Sequence, residues 1–373
     1  MQPVSPRKIL FLYLKAFSST GGIEKFNRCL LKALEDLSAP SLQVAAASPY
    51  EAAPDNGYFP ASKFLASHGN KIAFVLRILF RSKDFDTFII GHINLAILGY
   101  LIKVFRPTAN VIVIAHGIEV WNKQRGFKLK ILERADWIFA VSNFTKDKIH
   151  ESNPCISLEK IRIFPNTIDP HFPLPATFEK PDYLLKRYHF SHDDKILLTI
   201  NRLSTTENYK GYDQIIKTLA WLKRENKNLK YLLCGKSDES EERRIHQLIQ
   251  EEGLQNQVLL TGYVEGAELV DHYLLGDVFV MPSKKEGFGI VFIEALACGR
   301  PVIAGAKDGS VDALLNGKLG KLIDPDSLTE LKDAIEGSLT KKDADPLTLQ
   351  AKVLSAYRFE NYRDRLREYL FSL

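Results

Sequence analysis

Two carboxylates eight positions apart, Glu286 and Glu294, stand in the stretch of this chain best suited to chemistry. It reads Lys284-Lys285-Glu286-Gly287-Phe288-Gly289-Ile290-Val291-Phe292-Ile293-Glu294 and lies between the apolar runs 278–281 and 301–304, so the expected order is strand, glycine-rich turn, short helix, strand. Glu286 falls in the turn and Glu294 two helical turns beyond it. The pair can therefore grip one elongated polar ligand at two points.

Cations come from a second loop. Arg202 and Lys210 bracket the polar segment 201–211, which follows the apolar run Ile196–Ile200. Surface solvation explains either charge alone, but two cations at the carboxyl end of one strand can clamp a diphosphate. Gly21-Gly22 follows another apolar run and opens a helix, so its amides and the positive end of the helix dipole can meet an anion, although a tight turn accounts for two glycines by themselves. His116-Gly117 follows Val111–Ala115, again at a strand's carboxyl end, where a histidine suits ligand contact better than core packing. Two Asp-x-Asp strings read as structural. Asp84-Phe85-Asp86 lies at the start of a strand, and Asp324-Pro325-Asp326 is a turn into a helix with Asp326 as the expected N-cap. The loop at Gly21 does not match G-x-G-x-x-G, and the chain has no Walker loop, G-x-S-x-G elbow or H-E-x-x-H.

The elements that must position these groups alternate in type. A strand at 8–14 is followed by a helix with Ile23, Phe26, Leu30, Leu34 and Leu37 on one face. Strands are expected at Gln43–Ala47, Thr87–Ile90, Val111–Ala115 and Trp137–Val141, with helices at Ile72–Phe80 and around 95–104. Prolines 165, 170, 173, 175 and 181 interrupt the pattern over 164–181, where a linker is expected. Alternation then resumes with strands at Ile196–Ile200, Tyr231–Cys234, Val258–Thr261 and Val278–Met281 and helices at 211–224, 241–251 and 267–275. The pattern predicts an α/β protein of two doubly wound domains, with ligands held in a cleft at the carboxyl ends of two parallel sheets.

Composition fits that prediction. The chain has 373 residues, room for two domains, with 45% hydrophobic and 25% charged residues. A net charge of +5 without a long basic block suits a phosphorylated ligand or an anionic membrane surface and argues against a nucleic-acid track. Cys29, Cys155, Cys234 and Cys298 are scattered, without metal-site spacing, and read as buried thiols of a reducing compartment. No apolar signal core precedes Lys8, so a cytoplasmic location is expected.

Taken in order, the motifs resemble retaining glycosyltransferases of the GT-B fold, specifically glycosyltransferase family 4. The matching strings are Gly21-Gly22-Ile23-Glu24, His116-Gly117-Ile118-Glu119, Val141-Ser142-Asn143-Phe144-Thr145, Pro165-Asn166-Thr167-Ile168-Asp169, Arg202-Leu203 with Lys210-Gly211, Thr261-Gly262-Tyr263-Val264, and the Glu286 and Glu294 pair with its Glu-Gly-Phe-Gly opening. The resemblance implies two Rossmann-like domains facing a central cleft. Residues 1–172 would form the acceptor domain, completed by 357–373 crossing back to it, and 173–356 the donor domain. It implies a hexose moved from a nucleotide-diphosphate sugar to a saccharide or lipid-linked acceptor in polysaccharide or glycolipid assembly, without metal or cofactor. Arg202 and Lys210 would neutralise the diphosphate, Glu294 would bind the ribose, and Glu286 with the backbone of Gly287, Phe288, Gly289 and Ile290 would hold the sugar. Gly262, Tyr263 and Val264 would complete the nucleotide site, His116 would approach the sugar and Gly21-Gly22 would close over the phosphates. His116, Glu286, Arg202 and Lys210 form the expected catalytic set, and the paired glutamates are not a glycosidase acid and nucleophile.

The chain departs from the family pattern at Gly309-Ser310-Val311-Asp312, with Asp for the usual Glu, and in a longer 202–210 loop. Its His-Gly-Ile-Glu-Val-Trp string resembles members that use GDP-mannose rather than UDP-sugars. Alternatives are a GT-B epimerase, a glycogen-synthase-like polymerase and an idle sugar-nucleotide-binding module, the last opposed by the joint presence of the five charged and histidine residues. His92 and Asn94 are candidates for the acceptor side. Lys71–Arg81 mixes bases with large apolar residues and would suit peripheral contact with a membrane face, although a crossover helix packed on the sheet explains the same residues.

Overall fold

The protein is represented by a computed structural model that describes residues 6–67, 69–223, 228–340 and 345–372. It forms two compact units, one containing the residues up to Pro170 with those from Tyr357 onward, the other running from His171 to Ala356. Arg224, the expected end of one helix, lies outside the described residues.

The first unit holds β1 Arg7–Leu12, β2 Leu42–Ser48, β3 Phe64–Ala66, β4 Thr87–Ile90, β5 Asn110–Ala115, β6 Trp137–Ala140 and β7 Ile161–Ile163 in the order β3-β2-β1-β4-β5-β6-β7. The second holds β8 Lys195–Ile200, β9 Leu229–Cys234, β10 Val258–Gly262, β11 Val278–Met281, β12 Val302–Gly305 and β13 Lys321–Ile323 in the order β10-β9-β8-β11-β12-β13. All the named pairings are parallel. Each strand of a parallel sheet covered on both faces is buried on both sides, which is why 9–12, 111–115 and 278–281 are unbroken apolar runs rather than alternating ones.

The two orders share one property that matters for function. In each sheet the chain first builds outward in one direction and then returns to build the other way, so the order reverses between β1 and β4 and again between β8 and β11. Loops leaving neighbouring strands at such a reversal diverge to opposite faces and open a crevice beyond the strands' carboxyl ends.

The last helix, Phe359–Phe371, belongs to the first unit and packs on the helix Gly22–Leu37. Tyr362 supplies the contact, its ring centroid 4.4 Å from that of Phe164 and 6.1 Å from that of Phe26. Backbone ties at Ile168 N–H to Tyr357 O (3.0 Å) and Tyr369 Oη to Ile163 O (3.1 Å) complete the attachment. The strands missed by sequence reading, β3, β7 and β13, are three-residue elements. So short a run carries no periodicity to read.

Candidate active site

In the second unit the candidate residues leave β8 and β11, the two strands that flank its reversal point. Lys210 ends the first of these loops and Glu286 lies in the second. The structure pairs them, with Lys210 Nζ 2.6 Å from Glu286 Oε2. Burial disfavours the charged amine, but the Glu286 carboxylate more than offsets this, so the Lys210 pKa is raised and the group stays cationic. Arg202 pairs with Glu207 within its own loop and is mostly exposed. Tyr209 joins the two loops. Its carbonyl accepts from Lys284 N–H (2.9 Å), and the Lys210 and Lys285 amines lie 5.6 and 5.7 Å from its ring centroid.

Between β11 and the helix Ile290–Ala297 the chain turns at Gly289, whose φ of 88° lies in the region that favours glycine. Phe288 and Ile290 are buried, so their side chains anchor the turn and only their backbone can serve a ligand. Glu294 is 1% exposed and accepts a hydrogen bond from Tyr273 Oη at 2.9 Å. Burial first, and the Glu294 charge second, push the Tyr273 phenol well above its ordinary value, so it remains a donor. Gly262 ends the edge strand β10, two strands from the reversal point, Tyr263 and Val264 follow it, and Tyr263 is 48% exposed.

In the first unit, Gly21-Gly22 follows β1, His92 follows β4 and His116 follows β5. Gly22 begins the helix Gly22–Leu37. The loop before it is shaped by buried Glu51, which accepts from Ala16 N–H (2.7 Å), Phe17 N–H (2.6 Å), Ser18 N–H (3.1 Å) and Tyr13 Oη (2.9 Å). His116 Nε2 lies 2.8 Å from Gly91 O; a carbonyl only accepts, so the proton sits on Nε2 and Nδ1 is the acceptor nitrogen. Burial lowers the His116 pKa to about 4, against the Gly91 carbonyl and Glu24, so the imidazole is neutral at pH near 7. His92, with its ring centroid 6.1 Å from that of His116, is likewise lowered to about 4 by burial and by His116. Its Nδ1 accepts from Asn94 N–H (3.0 Å), which gives both suggested acceptor-side residues a local structural duty.

Two expectations need correction. Cys155 is exposed rather than buried, because it lies in the turn 153–157 that closes the helix Asn143–Ser152. Asp326 is not the N-cap of the helix Leu328–Thr340. Ser327 takes that place, its Oγ accepting from Glu330 N–H at 3.2 Å, while Asp326 pairs with Lys284 and Lys307. The other acidic positions are also engaged, Asp324 with Lys307, Asp84 with Arg81, and Asp86 with Lys8 N–H.

Sequence reasoning missed Tyr209, within the Lys210 loop, and Glu51, Tyr273 and Asp308, which hydrogen-bond to the loop before Gly21, to Glu294 and to Glu286 from elements distant in the chain. Only Tyr209 had a signal, as an aromatic residue between the loop's two cations.

Comparison with known proteins follows the same division of the chain. Residues 20–172 match the family model described as Glycosyltransferase Family 4, and residues 184–352 match Glycosyl transferases group 1. A GDP-mannose-dependent alpha-(1-6)-phosphatidylinositol monomannoside mannosyltransferase of Mycobacterium tuberculosis is 30% identical over 247 residues, 63% of this chain and 62% of that one. The chain thus spans less than two thirds of that relative's length. The protein of the same description from Mycolicibacterium smegmatis is 28% identical over 288 residues, 73% of this chain and 71% of that one. Among solved structures, HepE of Anabaena in complex with UDP and glucose superposes with a TM-score of 0.79 at 18% identity, covering 98% of this chain and 100% of that one. That likeness is one of fold, the GT-B fold.

Proposed function

The chain belongs to glycosyltransferase family 4, and from that premise we propose that it is a retaining, metal-independent hexosyltransferase, moving a hexose from a nucleotide-diphosphate sugar to a saccharide or lipid-linked acceptor. The single observation that carries this reading is the partly buried Lys210–Glu286 pair at the second unit's reversal point, with Glu294 on the following helix. When the bond between sugar C1 and phosphate oxygen breaks, its electron pair moves onto the diphosphate. A fixed cation stabilises that state more than the ground state. Lys210 is assigned this task with Arg202, whose exposed side chain reaches the phosphates by leaving Glu207. Glu286 and the backbone of 287–290 hold the sugar, and Glu294 holds the ribose. Before ligand arrives, Glu286 keeps the partly buried Lys210 from being an uncompensated charge. Neutral His116 suits a sugar hydroxyl, and Gly21-Gly22 the phosphates. GDP-mannose is the first donor to test, because the relatives aligned over most of this chain carry it in their names.

The direct test follows sugar release and transfer from a nucleotide-sugar panel. A transferase releases nucleoside diphosphate and forms a product that keeps the donor's anomeric configuration. A nucleotide that raises the melting temperature without sugar release indicates an idle binding module and contradicts the proposal.

Glu294→Ala is expected to weaken nucleotide binding by about 10–100-fold, the value of one or two hydrogen bonds to a charged group. Tyr273→Phe controls for the phenol left without its carboxylate partner. Unchanged affinity by calorimetry in Glu294→Ala removes the ribose role.

We also propose peripheral membrane contact through the first unit. Within the helix Lys71–Arg81, Phe74 and Ile78 are buried against the core, whereas Ile72, Leu76 and Phe80 are 75%, 63% and 73% exposed at four-residue steps. Packing on the sheet explains the first pair and leaves the second row outward. Phe105 of the neighbouring helix Ala96–Phe105 is exposed as well, and the exposed Lys71, Arg77 and Lys83 supply basic charge. Among the described residues no helix is long and apolar enough to cross a membrane. The wild type is expected to co-sediment with anionic vesicles, and Ile72→Ser/Leu76→Ser/Phe80→Ser to remain in the supernatant. A wild type that ignores such vesicles ends the idea.

A further inference from the structure

We propose that Asp308 is the positioning residue that holds the Glu286 loop in its ligand-gripping shape, an assignment that rests on the donor role given to Glu286 above. Asp308 follows β12 and is fully buried. Its Oδ2 accepts from Glu286 N–H (2.7 Å) and from Ser283 Oγ (2.7 Å), and its Oδ1 accepts from Ser310 N–H (2.9 Å). The segment between β11 and the helix Ile290–Ala297 has no regular structure, so its backbone groups must find partners locally. Asp308 takes the Glu286 N–H, and Gly309 N–H donates to Glu286 O at 2.8 Å. Both polar groups of the Glu286 backbone are thereby tied to 308–309, and the side chain that remains is aimed at Lys210.

The choice of residue supports the assignment. Only a carboxylate of this size accepts on both oxygens at once; asparagine accepts on one. Burying it is expensive, since burial pushes the Asp308 carboxyl from its ordinary 3.8 up to about 6 despite donors from Ser310, Ser283 and Glu286 N–H. Lys307, adjacent in sequence, and Lys284, in the facing loop, are engaged with Asp326, and Lys210 is engaged with Glu286. From the facing loop Asp308 meets the Ser283 hydroxyl and the Glu286 amide, and from its own turn Ser310, with Asp312 the acidic side chain further along that turn.

Ionisation links loop shape and stability with opposite signs. The carboxylate that accepts from Glu286 exists above about pH 6, so ligand grip is complete at higher pH and is lost as pH falls through that value. The raised folded-state pKa, in contrast, favours the folded protein below the ordinary value and disfavours it as pH rises through about 6. A residue needed only for folding shows no such opposition.

The test is a calorimetric pH series, from pH ~5 to ~8, on whichever of GDP-mannose and UDP-glucose the wild type binds, with melting temperatures alongside. Wild-type affinity is expected to fall about 10-fold toward the acid end. Asp308→Asn is expected to bind about 10-fold more weakly at every pH, with the acid limb gone. If Asp308→Asn binds like the wild type and keeps its acid limb while Glu286→Gln binds weakly, positioning by Asp308 is overturned and the donor reading stands. If Glu286→Gln also binds like the wild type, or neither nucleotide sugar binds, the donor reading falls and takes this inference with it. Should Asp308→Asn not fold, Ser283→Ala serves, because removing one donor must move the acid limb to higher pH; an unmoved limb contradicts the proposal.

Discussion

Replacing Lys210 with alanine is expected to lower the transfer rate by about 10²–10³-fold, the usual consequence of losing one preorganised group that meets developing charge. Part of any loss could come from structure, so the two effects must be compared. The side chains of Lys210 and Glu286 keep 15% and 20% of their exposure, between a surface pair worth about 0–1 kcal/mol and a fully buried one whose breaking costs about 3–5. A stability loss of about 2 kcal/mol leaves an ordinary domain folded at assay temperature, so the rate loss is one of catalysis. Lys210→Arg keeps the charge on a longer, forked group and should recover part of the activity. Near-normal turnover in Lys210→Ala removes Lys210 from the site.

Gly309→Ala should displace the Glu286 loop directly. A Cβ there would lie 2.1 Å from Gly287 O and 2.8 Å from Glu286 O, both backbone atoms that cannot swing aside. The Glu286 loop must move, and displacement of a site by about 1 Å is enough for about 10²-fold in rate. Overpacking of this kind costs about 1–3 kcal/mol, which for a unit of this size lowers the melting temperature by several degrees, on the order of 2–4 °C per kcal/mol. Gly337→Ala is the control. Its Cβ meets only the Lys321 amine at 3.5 Å within the helix Leu328–Thr340, and it should leave stability unchanged or raise it by about 0.5–1 kcal/mol. Full activity in Gly309→Ala would show that the loop is not seated on residues 308–309.

The parts legible in the sequence were those with a period or a local turn signal. Unbroken apolar runs marked β5 and β11, and a glycine-bearing loop followed each first strand, so strand ends and their polar residues could be placed together. Position after a strand marks Lys210 and Glu286 as ligand candidates separately, and it is the family resemblance that implies one ligand for both. Their direct pairing was not legible, since 76 positions separate them and only the adjacency of β8 and β11 brings them close. The same is true of Tyr273 beneath Glu294 and of Asp308 beneath Glu286. Each reads in isolation as an ordinary residue of a helix or turn, and only tertiary packing makes it a partner. The N-cap misassignment at Asp326 has a local cause: Asp324, Asp326 and Ser327 can all cap, and Lys284 and Lys307, from other loops, drew the two aspartates away.

The most direct measurement of the central claim compares, by calorimetry, nucleoside, nucleoside monophosphate and nucleoside diphosphate binding to the wild type and to Lys210→Ala. If Lys210 meets the diphosphate, its loss should weaken the diphosphate by about 10-fold or more while leaving the nucleoside nearly untouched, the gain from each added phosphate shrinking in the variant. A wild type that binds none of them, or a variant that loses affinity equally for all three, would contradict the assignment of the Lys210–Glu286 pair to the phosphate and sugar of a donor.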